Sequence, residues 1–152
     1  MADPRTYERA WERATSLLER RQSASSLGLG VNTALLAAMA FVMRGDGLAL
    51  AQRLGIIIIL MAAGVVACVQ WARTLRSYQL LMRWWYGKLQ ELEEAMPAED
   101  RLATAEYAGL YAKPEGHERL SLTRNELALI KVIGALHVLF LALAAVMYAE
   151  VL

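Results

Sequence analysis

Hydrophobic positions in this chain fall in three long blocks, separated by stretches where apolar residues recur at helical spacing among charges. The longest uninterrupted pattern runs from Leu54 to about Met96, with no Pro and only three Gly. Its first half, LGIIIILMAAGVVACVQW, is apolar enough for a lipid interior, and its second half, ARTLRSYQLLMRWWYGKLQELEEAM, is charged and amphipathic. Across the join, Trp71, Leu75, Tyr78, Met82, Trp85, Leu89, Leu92 and Met96 are spaced 4-3-4-3-4-3-4, the interval of a coiled-coil seam. The pattern predicts one helix that crosses a membrane and continues into water. A second apolar edge (Leu80, Leu81, Trp84, Tyr86) accompanies the seam, so the helix asks for two neighbours: the N-terminal helix and another copy of the chain. The alternative is an aromatic belt at the lipid headgroups. Against it, Trp84 and Trp85 follow Trp71 by about 20 Å of helix.

The same reading applied in order gives the remaining elements. Asp3-Pro4 predicts a helix start, and Tyr7, Trp11, Ala14 and Leu18 then form one stripe among mixed Arg and Glu. Mixed charge favours packing on protein over lying on a lipid surface. LGLGVNTALLAAMAFVM, residues 27–43, predicts the first span, with Gly30, Ala34 and Ala38 as a small-residue ladder for close helix packing. Asn32 within it needs a hydrogen-bond partner, from a neighbouring helix or as a pore or ligand contact. Arg44-Gly45-Asp46-Gly47 reads as a tight turn rather than an adhesion motif. Gly64 and Cys68 share a face of the second span and add close-packing surface there. Met96-Pro97 ends the long helix. Residues 98–112 predict a short helix, and 113–122 a loop in which His117 has no ligand spacing. Thr123 to Glu126 reads as a capping box that launches the third span. There Lys131 lies near the interface and His137 lies deeper, either hydrogen-bonded as neutral imidazole or handling protons or ions.

Composition agrees with a membrane protein: 57% of the 152 residues are hydrophobic, 20% are charged, and mean hydropathy is +0.32. The net charge of +1 is evenly mixed, which argues against nucleic acid as a partner. Its distribution sets the expected topology. Residues 1–25 carry five Lys or Arg, Arg44 to Arg53 two, residues 73–124 eight, and nothing after Lys131 any. The positive-inside rule then puts the N-terminus and the middle segment in the cytoplasm, and the C-terminus outside. No removable signal peptide is evident. One cysteine excludes a disulfide framework, and Cys68 reads as an inert core residue. No phosphate loop, paired intramembrane carboxylates or metalloprotease-type helix is visible, so neither an enzyme nor a metal or cofactor is expected.

Several short segments together resemble a family. Glu19-Arg20-Arg21-Gln22 precedes Val31-Asn32-Thr33-Ala34-Leu35-Leu36, and Arg76-Ser77-Tyr78 follows the second span. Glu91-Leu92-Glu93, Met96-Pro97, Leu122-Thr123 and Glu126 come next. In these the chain resembles the small bacterial membrane proteins described as the RipA family of octameric membrane proteins, from about Glu19 to the third span. It departs where the third span usually begins with Pro; Ile130 and Lys131 stand there. The resemblance implies an inner-membrane homo-oligomer of eight subunits and carries over no catalytic or ligand residue.

The expected fold is an all-α membrane protein with three transmembrane helices, the second extending into the cytoplasm, and an amphipathic N-terminal helix. The expected regions are 1–25 (cytoplasmic helix), 26–72 (first two spans), 73–125 (cytoplasmic helices) and 126–152 (third span). The expected function is a structural or regulatory homo-oligomer of the bacterial inner membrane, in contact with lipid and assembled through its cytoplasmic helices. Two alternatives stand beside it: a channel or pore lined by Asn32, Lys131 or His137, and an adaptor docking a soluble partner.

Overall fold

A computed structural model describes residues 4–45, 47–110 and 122–151. Among these the chain is all-helical: α1 (Pro4–Arg44), α2 (Leu50–Glu93), a 3-10 turn (Ala98–Asp100), α3 (Leu102–Leu110) and α4 (Leu122–Val151). The three long helices each contain a stretch long and apolar enough to cross a membrane.

α1 merges the two elements expected from the sequence, the amphipathic helix and the first span, into one helix of 41 residues. The join at Ser23-Ala24-Ser25-Ser26 holds neither Pro nor Gly, and Ser costs a helix only a fraction of a kcal/mol, about 0.5. α2 is likewise continuous over 44 residues, as its unbroken apolar pattern requires. It starts at Leu50, where the Gln52 side chain accepts the Ala49 N–H at 3.2 Å and Arg53 Nε donates to the Leu48 carbonyl at 2.9 Å. Of the expected helix over 98–112, residues 98–110 form a 3-10 turn followed by α3, and 111 and 112 lie outside the described residues. Arg101 breaks it with φ −83° and ψ 63°. Its guanidinium turns back to donate to the carbonyls of Met96 (2.9 Å) and Glu94 (3.2 Å), in the turn that follows α2. Asp3, the 113–121 part of the predicted loop with His117, and the Thr123 side chain of the predicted capping box lie outside the described residues.

The helices divide into two compact units. One, residues 1–23 and 75–124, carries most of the charge; the other, residues 24–74 and 125–152, is almost wholly apolar. The apolar unit packs Leu54, Ile57 and Met61 of α2 with Ala144 of α4, flanked by Met39 and Val42 of α1 and by Leu141 and Tyr148 of α4. Most other large side chains there point outward, among them Leu27, Phe41, Ile59 and Val66. A soluble domain would not leave such a surface bare; a lipid-facing bundle must. In the charged unit, Leu89 of α2, Ala10 and Ala14 of α1 and Ala103 of α3 form one buried cluster, with Tyr7, Trp85 and Leu92 against it. Ala10 and Ala14 lie four residues apart on one side of α1, and their small size lets α2 approach closely.

Candidate functional site

Two clusters of buried polar groups stand out, one in each unit. In the apolar unit, α2 presents Met61, Gly64 and Cys68 on one side, at the three- and four-residue steps of a helix face. α1 contributes Asn32 and α4 contributes His137; both are buried, as are Met61 and Cys68. Asn32 Nδ2 donates to the Gly28 carbonyl of its own helix at 2.8 Å, which fixes Oδ1 as the acceptor facing the bundle. Cys68 Sγ donates to that oxygen at 3.1 Å, and His137 Nε2 lies 3.0 Å from it. The hydrogen bonding thus assigns the imidazole proton to Nε2. Nδ1 is left 3.4 Å from Met61 Sδ.

Gly64 makes the arrangement sterically possible. A Cβ there would stand 2.5 Å from His137 Cε1 and 2.6 Å from Nδ1, so the imidazole lies against bare backbone. Gly134, one turn before His137, faces Cys68 in the same way at ordinary contact distance, 3.6 Å from its own notional Cβ to the Cys68 Cβ. Trp71 closes over Gly28 and leaves no room for a side chain there; its buried indole N–H has no partner among the described residues.

The connectivity decides the chemistry. An amide oxygen stands between thiol and imidazole, and an amide oxygen takes no proton at neutral pH. Among the described residues the thiol's hydrogen bond goes to this amide oxygen and not to the imidazole. One Asn carbonyl instead holds two neighbouring helices. Interhelical hydrogen bonds in lipid are worth about 0.6–2 kcal/mol each.

In the charged unit the centre is Glu93, 0% exposed. Its Oε1 accepts from the Tyr7 hydroxyl and the Ala103 N–H, and its Oε2 from the Thr104 N–H, all at 2.8 Å. Ala103 and Thr104 are second and third in α3, so a carboxylate from α2 caps the first turn of α3 and holds α1 to both. Burial pushes the Glu93 carboxyl up. The hydrogen bonds from the Thr104 side chain, the Ala103 N–H, the Tyr7 hydroxyl and the Thr104 N–H outweigh it and hold the group below the usual carboxylate range. Tyr7 is pushed up to about 12, by burial first and then by its hydrogen bond to Glu93 and that residue's charge.

Of the residues singled out from the sequence, Asn32, His137, Gly64 and Cys68 come together. Lys131 does not join them; it is exposed. Gly30 has open space where a Cβ would be and Ala34 is exposed, so their ladder faces away from the chain's own helices; Ala38 is half-buried. The stripe faces inward: Trp71, Leu75 and Leu89 of α2 are buried and Tyr78, Met82, Trp85 and Leu92 half-buried, and Met96, also half-buried, lies beyond the helix, which ends at Glu93 rather than at the expected Met96. Around Leu89 it is covered from within the chain, by α1 and α3. Of the second edge, Tyr86 is half-buried, while Leu80 (65%), Trp84 (60%) and Leu81 (43%) remain exposed.

Sequence reasoning placed Tyr7 on the N-terminal stripe and Glu93 among the family-like residues but gave no site role to either, nor to Met61, Gly28 or Gly134. For two of them a signal was present. Glu93 follows Leu89 by four residues and so falls on the stripe's own face, and Gly134 precedes His137 by three.

No curated protein and no solved structure matches the chain. A match over residues 4–147 is to the octameric membrane protein family (8xMP), and it spans all four helices from Pro4 to within one turn of the end of α4. By this match and by its three lipid-compatible helices, the chain belongs to the octameric membrane protein family.

Proposed function

We propose that this protein is a homo-octameric structural or regulatory element of the bacterial cytoplasmic membrane, with the charged unit and N-terminus in the cytoplasm and the C-terminus outside. One observation carries the reading. In a unit too charged to lie in lipid, α2 keeps Leu80, Leu81 and Trp84 bare after α1 and α3 have covered the stripe around Leu89. Exposed apolar surface of this kind marks a protein interface, and membership of an octameric family supports another copy of this chain as the partner.

Light scattering on the detergent-purified chain tests the assembly; eight copies are expected, and a monomer would sink the proposal. Trp84→Asp should dissociate it by placing a charge in the contact, while helix content stays unchanged. Cysteine-accessibility labelling of chains carrying Thr104→Cys or Glu150→Cys tests the orientation. The first should label from the cytoplasm and the second from outside.

A further inference from the structure

If all copies sit the same way up in the membrane, as the positive-inside orientation requires, the symmetry axis of an octamer is the membrane normal. Dihedral arrangements would invert half the subunits. A cyclic ring of eight has only heterologous contacts: each copy offers two different faces, and one must fit the other. The inference below rests on the octameric reading and asks which two faces of the charged unit meet.

One is a ridge. Leu80 and Trp84, four residues apart on α2, are its two most exposed apolar side chains in this unit. The other is a groove of about 240 Å³ between α1 and α2, lined by Arg13, Ser16, Leu17 and Arg20 of α1 and Leu81 and Trp85 of α2. Its lining is apolar on Leu17, Leu81 and Trp85. Arg13 and Arg20, seven residues apart, carry no hydrogen bond or ion pair to any described residue.

An apolar slot with two free guanidinium groups matches an indole better than it matches an aliphatic chain. The ring buries its faces on the apolar lining, and its π cloud attracts the cations. Trp and Arg are also the residue types that dominate interface energies. The ridge and the α2 side of the groove are one residue apart in sequence, hence about 100° apart around the helix.

We infer that the Leu80–Trp84 ridge of each copy seats in the Arg13–Arg20 groove of the next, with the Trp84 indole between the two guanidinium groups. The test uses the full-length chain in native membranes, with Trp84 replaced by the photoreactive aromatic p-benzoylphenylalanine, which keeps a ring at the ridge. Irradiation of a mixture of isotopically light and heavy chains, followed by peptide mapping, distinguishes contacts between copies from contacts within one.

The expected product joins position 84 of one copy to α1 between Arg13 and Arg20 of another. A link from position 84 to position 80 or 84 of another copy would mean a self-complementary contact and overturn the inference. So would links to any other part of the neighbour, or none, in a preparation that still weighs as an octamer; the octameric reading would survive either result. A preparation that weighs as a monomer overturns both. Arg13→Gln with Arg20→Gln should raise the concentration for half-assembly about ten-fold or more by removing both cation–π contacts. Unchanged assembly in that variant would count against the cationic groove.

Discussion

Replacing Glu93 with Gln tests whether one carboxylate holds the charged unit together. The substitution keeps the shape and removes the charge. Oε1 now accepts from Tyr7 and Ala103 and Oε2 from the Thr104 N–H, and the Thr104 side chain bonds the same carboxylate. A Gln that keeps its carbonyl in the Oε1 position points its NH2 at the Thr104 N–H, donor against donor; turned over, it faces Tyr7 and Ala103 with donors. The first choice is less costly: one bond to a buried charged group is lost and two lose their charge assistance. Hydrogen bonds to charged groups contribute about 1.5–3 kcal/mol against about 1 for neutral ones, so the expected loss is at least about 2.5 kcal/mol. It falls first on α3, whose nine residues are too few for a helix to stand without tertiary support. Amide hydrogen exchange of the 102–110 peptide in the detergent-solubilised protein reads it directly. A loss of 2 kcal/mol speeds exchange about 30-fold where exchange follows the opening equilibrium. Peptides of the apolar unit, residues 24–74, should exchange as in the unaltered protein. If the α3 amides of the variant exchange at the original rate, the reasoning fails.

Other changes probe the same contacts. Because Glu93 is held below its unfolded value, its contribution is present above the ordinary Glu range near pH 4.3 and is lost as pH falls through the lowered folded value. α3 protection should drop over that interval in the unaltered protein and stay flat in Glu93→Gln. Tyr7 has the opposite sign. Its folded value of about 12 exceeds the unfolded value of 10.0, so its contribution is complete below pH 10 and lost between the two. Tyr7→Phe should cost about 1 kcal/mol at neutral pH and remove that alkaline loss, read by the same exchange. Leu89→Asp should unfold the charged unit, because the residue is wholly covered by its own chain; far-UV circular dichroism would show lost helix. Gly64→Ala should cost about 1–3 kcal/mol in thermal unfolding, because the new methyl meets an imidazole already fixed by Asn32.

The helices were legible in the sequence because each long block is either continuously apolar or strictly periodic, and both patterns leave helix as the one backbone that satisfies its own hydrogen bonds. The merger of the first two elements was less visible. Ser23 to Ser26 looks like a boundary in composition, yet nothing in it forbids helical dihedrals. The break at Arg101 was invisible for the reverse reason: its cause is a side chain reaching back to Met96 and Glu94, a contact the local pattern does not encode. Asn32 and His137 announced themselves as polar groups in apolar blocks, but which groups meet depends on helix register. For Asn32 the sequence pattern favoured a partner in a neighbouring helix over a pore or ligand contact, without naming the partner. Glu93 hid for another reason, since one more carboxylate in ELEEAM looks solvated until the face it shares with Leu89 is counted.

The same helices are held by different physics in the two units. Between helices in lipid, apolar contact gives little advantage over lipid tails, so association depends on close approach and on polar groups with nowhere else to go. Gly28, Gly64 and Gly134 supply the approach, and Asn32, Cys68 and His137 supply the polar contact. In the charged unit water does the driving. Ala10, Ala14 and Leu89 bury apolar area, and the carboxylate of Glu93 fixes where α3 attaches. Each chain thereby satisfies its own strongest requirements. The surfaces left to neighbouring copies are Gly30 with Ala34 on α1 in the apolar unit and the ridge and groove in the charged one. Contacts of the first kind guide close packing of any helix that reaches them, whereas Trp84 against two arginines demands one particular partner face. Specificity of assembly therefore belongs to the charged unit. A chain with both faces removed, Trp84→Asp together with Arg13→Glu and Arg20→Glu, should lose mixed assembly with unaltered copies more completely than Gly30→Val does, as measured by co-purification of two differently tagged chains.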